Sequence, residues 1–168
     1  MTSLFFIDVL KKQPSLVHGT SPRCYVINGE RKPLFCSGED GEKLFLEHQI
    51  FFLNSLGIGK KFLFRVTQVH GNHVYVLKDS GIPVGEVGSC EADAIITHIP
   101  DCPIVVLTAD CVPIIIYDPI KHVVGVVHAG RLGTQKRILT NTVEALSSEY
   151  DSNPKDLIVG MGPAIRGC

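Results

Sequence analysis

The stretch that decides the fold is Ile104-Val105-Val106-Leu107-Thr108-Ala109-Asp110-Cys111-Val112-Pro113-Ile114-Ile115-Ile116-Tyr117. Two apolar runs, rich in β-branched residues, flank a polar interruption at Thr108-Ala109-Asp110-Cys111. Short continuous apolar runs bounded by turn residues read as central strands buried on both faces, here Ile104–Leu107 and Pro113–Tyr117. Outward from this pair, Phe62–Val69, Val74–Leu77, Ala94–Thr97, Ile104–Thr108, Val112–Tyr117 and Val123–His128 form a series of predicted strands. Turn chemistry at Gly71-Asn72, Gly81-Ile82-Pro83, Pro100-Asp101 and Asp118-Pro119 separates them.

Toward the N-terminus, Leu4–Leu10 and Cys24–Asn28 read as strands and Ser15–Gly19 as a weaker one. Asp40 caps a predicted helix carrying Leu44, Phe45, Phe52, Leu53 and Leu56, which Gly57 and Gly59 stop. A second helix is predicted from Thr134 through Tyr150, with Ile138, Leu139, Thr142, Val143 and Leu146 facing inward. Leu157–Met161 is a last strand, and the Gly162-Pro163 turn leads to an end at Cys168 with no further element. The pattern predicts an α/β fold, a strand-rich mixed sheet covered by helices, in one domain spanning residues 1–168.

Composition narrows the function classes. The chain has 168 residues, 45% hydrophobic and 20% charged, as an ordinary globular protein does. A net charge of −1 gives no reason to expect nucleic-acid or membrane partners. No run approaches the roughly 20 apolar residues of a membrane helix. The six cysteines include no CxxC pair, and Leu4–Leu10 is too short, broken by Asp8 and without preceding basic residues, for a secretory signal. A reducing cytoplasm is the expected location, with most thiols acting as small buried hydrophobes.

Three side chains stand out as ligands. His70, Cys111 and His128 each follow an apolar run and precede a Gly or Pro within two residues. Strand ends hold a backbone rigid while the side chain faces a cleft, and two imidazoles with a thiolate suit zinc with its fourth position open. The same spacing would arise from a buried cysteine and two hydrogen-bonded histidines. It would also serve a metal-free site with Cys111 as nucleophile, His128 or His70 as base and the amides near Gly130 as oxyanion hole. Copper bound by the same three residues needs a weak axial ligand, for which only Met1 and Met161 are available.

Among the neighbouring residues, His73 would point to the opposite face from His70 in an extended chain. Asp93 is an acid just before a strand, suited to general acid–base work or to capping a turn. Asp110 would point away from Cys111 and could orient a histidine ligand. Arg23 and Arg131 are guanidinium groups able to grip phosphate.

Gln68-Val69-His70-Gly71, Ala92-Asp93-Ala94-Ile95-Ile96-Thr97, Thr108-Ala109-Asp110-Cys111-Val112-Pro113 and His128-Ala129-Gly130 occur in this order. Together they resemble the signatures of the laccase-domain family, also called multicopper polyphenol oxidase or YfiH-like proteins. His18-Gly19 with Arg23 is similar to that family's N-terminal segment, and Gly162-Pro163-Ala164-Ile165 to its C-terminal one. Two features depart from the family pattern. Arg131-Leu132-Gly133 stands where Trp-Arg-Gly is usual, and the chain ends soon after the last motif, as a C-terminally shortened member would.

The resemblance implies a layered α/β/β/α sandwich with zinc on His70, Cys111 and His128. Multi-electron oxygen chemistry needs several coppers, and one three-ligand set without a His-x-His pair argues for zinc over copper. It further implies a purine nucleoside phosphorylase acting on adenosine, inosine, guanosine and methylthioadenosine, with adenosine deaminase activity. Cys111 and Asp93 would then be catalytic, Asp93 shuttling the proton as activated water attacks adenosine C6. Arg23 and Arg131 would bind substrate, Arg23 holding phosphate in line with the ribose anomeric carbon. The expected partners are a purine nucleoside and phosphate, and the expected state is a monomer or homodimer. Three other activities fit the same motifs: a peptidoglycan editing amidase, a degenerate metal-binding protein without catalysis, and a copper-dependent polyphenol oxidase.

Overall fold

The computed structural model describes residues 4–27, 29–33, 40–59, 63–79 and 90–165. Asn28, Phe62 and the Gly81-Ile82-Pro83 turn lie outside the described residues, as do the side chains of Leu44 and Phe45. In chain order the elements are α1 (Asp8–Lys11), β1 (Cys24–Ile27), β2 (Glu30–Pro33), α2 (Asp40–Ser55), β3 (Val74–Leu77), β4 (Ala94–Thr97), β5 (Val112–Asp118), β6 (Val123–Ala129), α3 (Arg131–Gln135), α4 (Ile138–Tyr150) and β7 (Ile158–Met161). This is a mixed α/β fold.

The second half of the apolar run quoted first supplies β5, next to the central strand β6. β5 and β6 form an antiparallel hairpin in a five-stranded sheet of order β3-β4-β6-β5-β7. β3 and β4 are parallel, and the remaining pairs are antiparallel. The hairpin turn is built by Asp118, whose carboxylate accepts the N–H groups of Ile120 and Lys121 at 2.8 and 2.9 Å. A separate antiparallel pair, β1 with β2, carries Tyr25, which packs against His48 and Phe51 of α2.

Two apolar layers enclose the sheet. On one face Ala94, Ile96, Ile114, Ile116 and Val127 pack with Ile138 and Leu146 of α4. On the other, Ile95, Val126 and Leu77 pack with Val66 and Ala92. Each fully buried branched side chain contributes about 1.5–3 kcal/mol. α4 approaches β6 closely because Gly125 has no side chain: a Cβ there would lie 3.1 Å from Ile96 and 3.8 Å from Thr142.

The structure corrects several expectations. Leu4–Leu10 is not a strand: only Phe5 bridges Thr20, and the chain turns into α1 at Asp8. The His18 ring accepts the Ile7 N–H at 2.9 Å where α1 begins, and Leu10 is buried beside Gly160 of β7. Tertiary packing has overridden an apolar run. Ser15–Gly19 contains no strand, and residues 63–69 and Ile104–Thr108 form no strands but only isolated β-bridges, Phe64 with Ile104 and Thr67 with Glu91. The predicted helix from Thr134 is two helices, α3 and α4, broken where Arg137 takes a left-handed backbone with φ 63°. In α4 Ile138, Thr142 and Leu146 are buried and Val143 packs against the same core, as predicted, but Leu139 is 38% exposed.

Other elements stand where the residues predicted them. β3 and β4 match their predicted bounds, β5, β6 and β7 lie within one residue of theirs, and β1 covers most of its predicted run. Gly57 ends α2 with φ 74°, and the Ile58 N–H returns to the Leu53 carbonyl at 2.9 Å. Among the described residues, no helix is long and apolar enough to cross a membrane.

Candidate metal centre

The ends of β4, β5 and β6 and the turn before β3 meet at one end of the large sheet. The β5–β6 register sets Pro113 opposite His128 and Val112 opposite Ala129. Cys111 therefore enters β5 beside Gly130, preceding a strand rather than closing one. The β4–β6 register sets Ala94 opposite Val127, and the His128 N–H donates to the Asp93 carbonyl at 2.7 Å. Since residues opposite one another or two apart share a face, Asp93, His128 and Cys111 fall on one side. The turn bearing His70 joins them because the Asp93 N–H donates to the His73 carbonyl at 3.0 Å.

One carboxylate organises the site. Asp93 accepts the N–H groups of Val69, His70 and Gly71 at 3.3, 3.0 and 2.6 Å, so the turn wraps around it. These bonds hold His70 in a left-handed conformation with φ 58°, which costs an ordinary residue about 1–2 kcal/mol. Asp93 also receives the His128 Nδ1 hydrogen at 2.7 Å, with side-chain exposures of 0% for Asp93 and 3% for His128. Burial pulls the Asp93 carboxyl upward, but the His128 hydrogen bond and the Gly71 and Val69 amides outweigh it and hold the group below its ordinary value. An ionised carboxylate only accepts, so a proton sits on His128 Nδ1, and in the neutral ring Nε2 is the nitrogen that can take a ligand bond.

The ligand atoms of His70, Cys111 and His128 all lie within 4.8 Å of one another. Two ligands of one tetrahedral zinc are roughly 3.3–3.6 Å apart, given bonds of about 2.0–2.3 Å, so the cluster can close on an ion by small side-chain adjustments. The two imidazole rings meet edge to face, with centroids 4.7 Å apart. Gly130 supplies the space: a Cβ there would stand 3.2 Å from Cys111 Sγ, 3.2 Å from His70 Cδ2 and 3.5 Å from His128 Cε1. Residues and cradle fit a three-coordinate metal site. His128 is buried, Cys111 half-buried and His70 exposed, so the cluster opens on the His70 side.

Gly130→Ala is therefore expected to lower metal affinity about 10-fold or more, on the scale of changes next to ligands, with little loss of fold stability. Competitive titration with a chromophoric chelator would measure it. Unchanged affinity would show that the cluster does not close around this position.

The remaining predicted residues divide. Asp93 comes to the site, but its carboxylate faces His128 and the turn. The part of histidine orienter that the sequence offered to Asp110 belongs to Asp93: Asp110 is exposed, and its carbonyl accepts the Ile165 N–H at 3.0 Å. His73 is not in the cluster; its Nδ1 pairs with the Glu91 carbonyl at 2.8 Å. Arg131 is exposed at the start of α3, next to Gly130. Arg23 is exposed in the wall of a wide cleft that also includes Thr108, Ala109 and Asp110. The three ligands are not in that wall, and the approach between them is the chain step from Asp110 to Cys111.

Two supports had no signal in residue spacing. A Cβ on Gly133 would stand 2.7 Å from the Gly71 carbonyl, so α3 packs directly on the His70 turn. Asn72 donates to the Lys136 carbonyl and receives Asn141 on its own carbonyl, both at 3.0 Å, which ties the same turn to the α3–α4 break.

Residues 34–168 match the family model described as multi-copper polyphenol oxidoreductase laccase. The chain belongs to this family. Among curated relatives, it is 32% identical over 115 residues to the mouse protein "Purine nucleoside phosphorylase LACC1", a match covering 68% of this chain and 25% of the mouse one. It is 36% identical over 104 residues to "Purine nucleoside phosphorylase YlmD" of Bacillus subtilis, covering 60% of this chain and 37% of that protein. The crystal structure of the hypothetical protein YfiH from Bacillus licheniformis superposes with a TM-score of 0.70 at 26% identity, covering 80% of this chain and 52% of that one. The chain thus spans about half of that structure, and less of the curated relatives it matches. Its five-stranded mixed sheet with flanking helices is the fold of these neighbours.

Proposed function

We propose that this chain carries the centre of a zinc-dependent purine nucleoside phosphorylase that also deaminates adenosine. The observation that carries the proposal is the convergence of His70, Cys111 and His128 within 4.8 Å, with an open side, in a chain whose relatives bear the phosphorylase name. His70, Cys111 and His128 Nε2 would hold the metal, which supplies Lewis-acid polarisation and lowers the pKa of water.

The chain's own residues do the rest. Asp93, with its carboxylate fully engaged, acts as a positioning residue in place of the proton shuttle considered from sequence. It fixes the His128 tautomer and the His70 turn. Arg131, beside Gly130, and Arg23, in the cleft that reaches Asp110, are the cations offered to phosphate. In phosphorolysis a phosphate oxygen bonds to ribose C1′ as the C1′–N9 bond breaks, and the electron pair leaves with the purine. Among the described residues, Cys24, Cys90, Cys102 and Cys111 are in no disulfide.

Incubating the zinc-loaded protein with adenosine and phosphate and separating the products tests this. Adenine with ribose 1-phosphate, and inosine from the deaminase reaction, are expected. If none of these forms, while serine is released from a muramyl-serine nucleotide, the site belongs to an amidase. Oxidation of a phenol that requires added copper would return it to the oxidase class.

A further inference from the structure

The loop bearing Cys111 has few main-chain partners of its own. Upstream, Phe64 and Ile104 form a parallel bridge, with the Phe64 N–H on the Pro103 carbonyl at 2.8 Å and the Val105 N–H on the Phe64 carbonyl at 3.0 Å. That ladder then stops. By Thr67 the chain has changed partners and pairs with residues 90–92, the Thr67 N–H donating to Cys90 and the Ala92 N–H to Thr67. One side chain spans the gap. Gln68 Nε2 donates to the Leu107 carbonyl at 2.8 Å, and the Leu107 N–H donates to Gln68 Oε1 at 2.7 Å. The side-chain amide replaces the missing rung, donating and accepting as a peptide group would.

Gln68 stands two residues before His70, and Leu107 stands four before Cys111. We propose that Gln68 is a positioning residue of the metal centre, setting the separation between the His70 turn and the Cys111 loop. The proposal rests on the reading of His70, Cys111 and His128 as metal ligands. Only a carboxamide of this length makes both bonds: a glutamate cannot donate to the Leu107 carbonyl, and methionine, similar in length, makes neither. Asp93 fixes His70 relative to His128, whereas Gln68 ties the third ligand's loop to the same turn.

The test uses cobalt(II) as the probe, with wild type, Gln68→Met and Leu146→Ala, a core change remote from the ligands. Cobalt reports a tetrahedral thiolate site through its visible bands and its sulfur-to-metal charge-transfer band. Gln68→Met should bind cobalt about 10–100-fold more weakly, with a weakened charge-transfer band. Leu146→Ala, although destabilised, should keep the wild-type spectrum and affinity. In the metal-free protein, amide exchange at Leu107 and through 108–111 should quicken at least about 10-fold in Gln68→Met only, as expected where a protecting bond is lost.

Wild-type cobalt affinity and spectrum in Gln68→Met overturn the proposal, even if exchange quickens, because Gln68 would then hold only its local loop. An equal loss in Leu146→Ala overturns it as well, since a general loss of stability would suffice. If wild type binds no cobalt, the metal reading itself fails and the positioning role falls with it; the exchange rates then show separately whether Gln68 braces the loop.

Discussion

Replacing Asp93 by alanine is expected to destabilise the fold by at least about 3 kcal/mol, because each hydrogen bond to its charged carboxylate is worth about 1.5–3 kcal/mol. Asp93 accepts three backbone N–H groups and the His128 ring N–H in a fully buried position. The alanine variant leaves the His128 donor buried without an acceptor and releases the turn that holds His70 at φ 58°. Asp93→Asn keeps the volume and one acceptor oxygen, so more of the fold survives. Its amide hydrogens still conflict with at least one of the four donors, and the His128 tautomer is no longer imposed. Metal affinity should fall about 10–100-fold, as is usual when the partner of a histidine ligand is lost. Urea unfolding of the metal-free proteins measures the first effect and chelator competition the second. An alanine variant within about 1 kcal/mol of wild type, the net worth of one ordinary hydrogen bond, would contradict this account of the site.

The two histidines of the proposed metal centre should separate under mutation. His128→Ala removes a ligand and leaves the Asp93 charge buried beside a void, so metal binding and about 3–5 kcal/mol of stability are expected to go together. His70 is exposed and its backbone is left-handed, a conformation glycine adopts without steric cost. His70→Gly should therefore abolish metal binding while leaving metal-free stability within about 1 kcal/mol of wild type, because relieved strain offsets the flexibility gained by the unfolded chain. Calorimetry on metal-free samples, paired with a metal titration of each variant, distinguishes the two. Equal loss of stability in both would show that His70 is a packing residue.

Much of this geometry could be anticipated from residues. The Val- and Ile-rich runs carried β3 to β6 because strands packed into the core are the stable place for such side chains. His70, Cys111 and His128 were marked by their position next to turns. What escaped depends on partners distant in sequence. Leu4–Leu10 is a short apolar run such as a buried strand shows, and only the packing of Leu10 beside Gly160 and the His18 bond to Ile7 turn it into α1. Lys136 and Arg137 are good helix formers, so nothing local announces the break between α3 and α4. There Asn72 takes the Lys136 carbonyl. Asp93 could be seen as an acid before a strand, but not that four donors would converge on it. Gln68 looked like part of a motif, and its two bonds to Leu107 appear only once the loops are adjacent.

Elemental analysis of the purified wild-type chain beside Cys111→Ala tests the central claim most directly. The half-buried thiol is one of the three proposed ligands, and its loss should cost more than the roughly 100-fold that follows from disturbing a ligand's support. The site described here predicts about one zinc per wild-type chain and essentially none in the folded variant. A wild-type chain without metal, or a variant that retains it in full, would contradict a metal centre built on His70, Cys111 and His128.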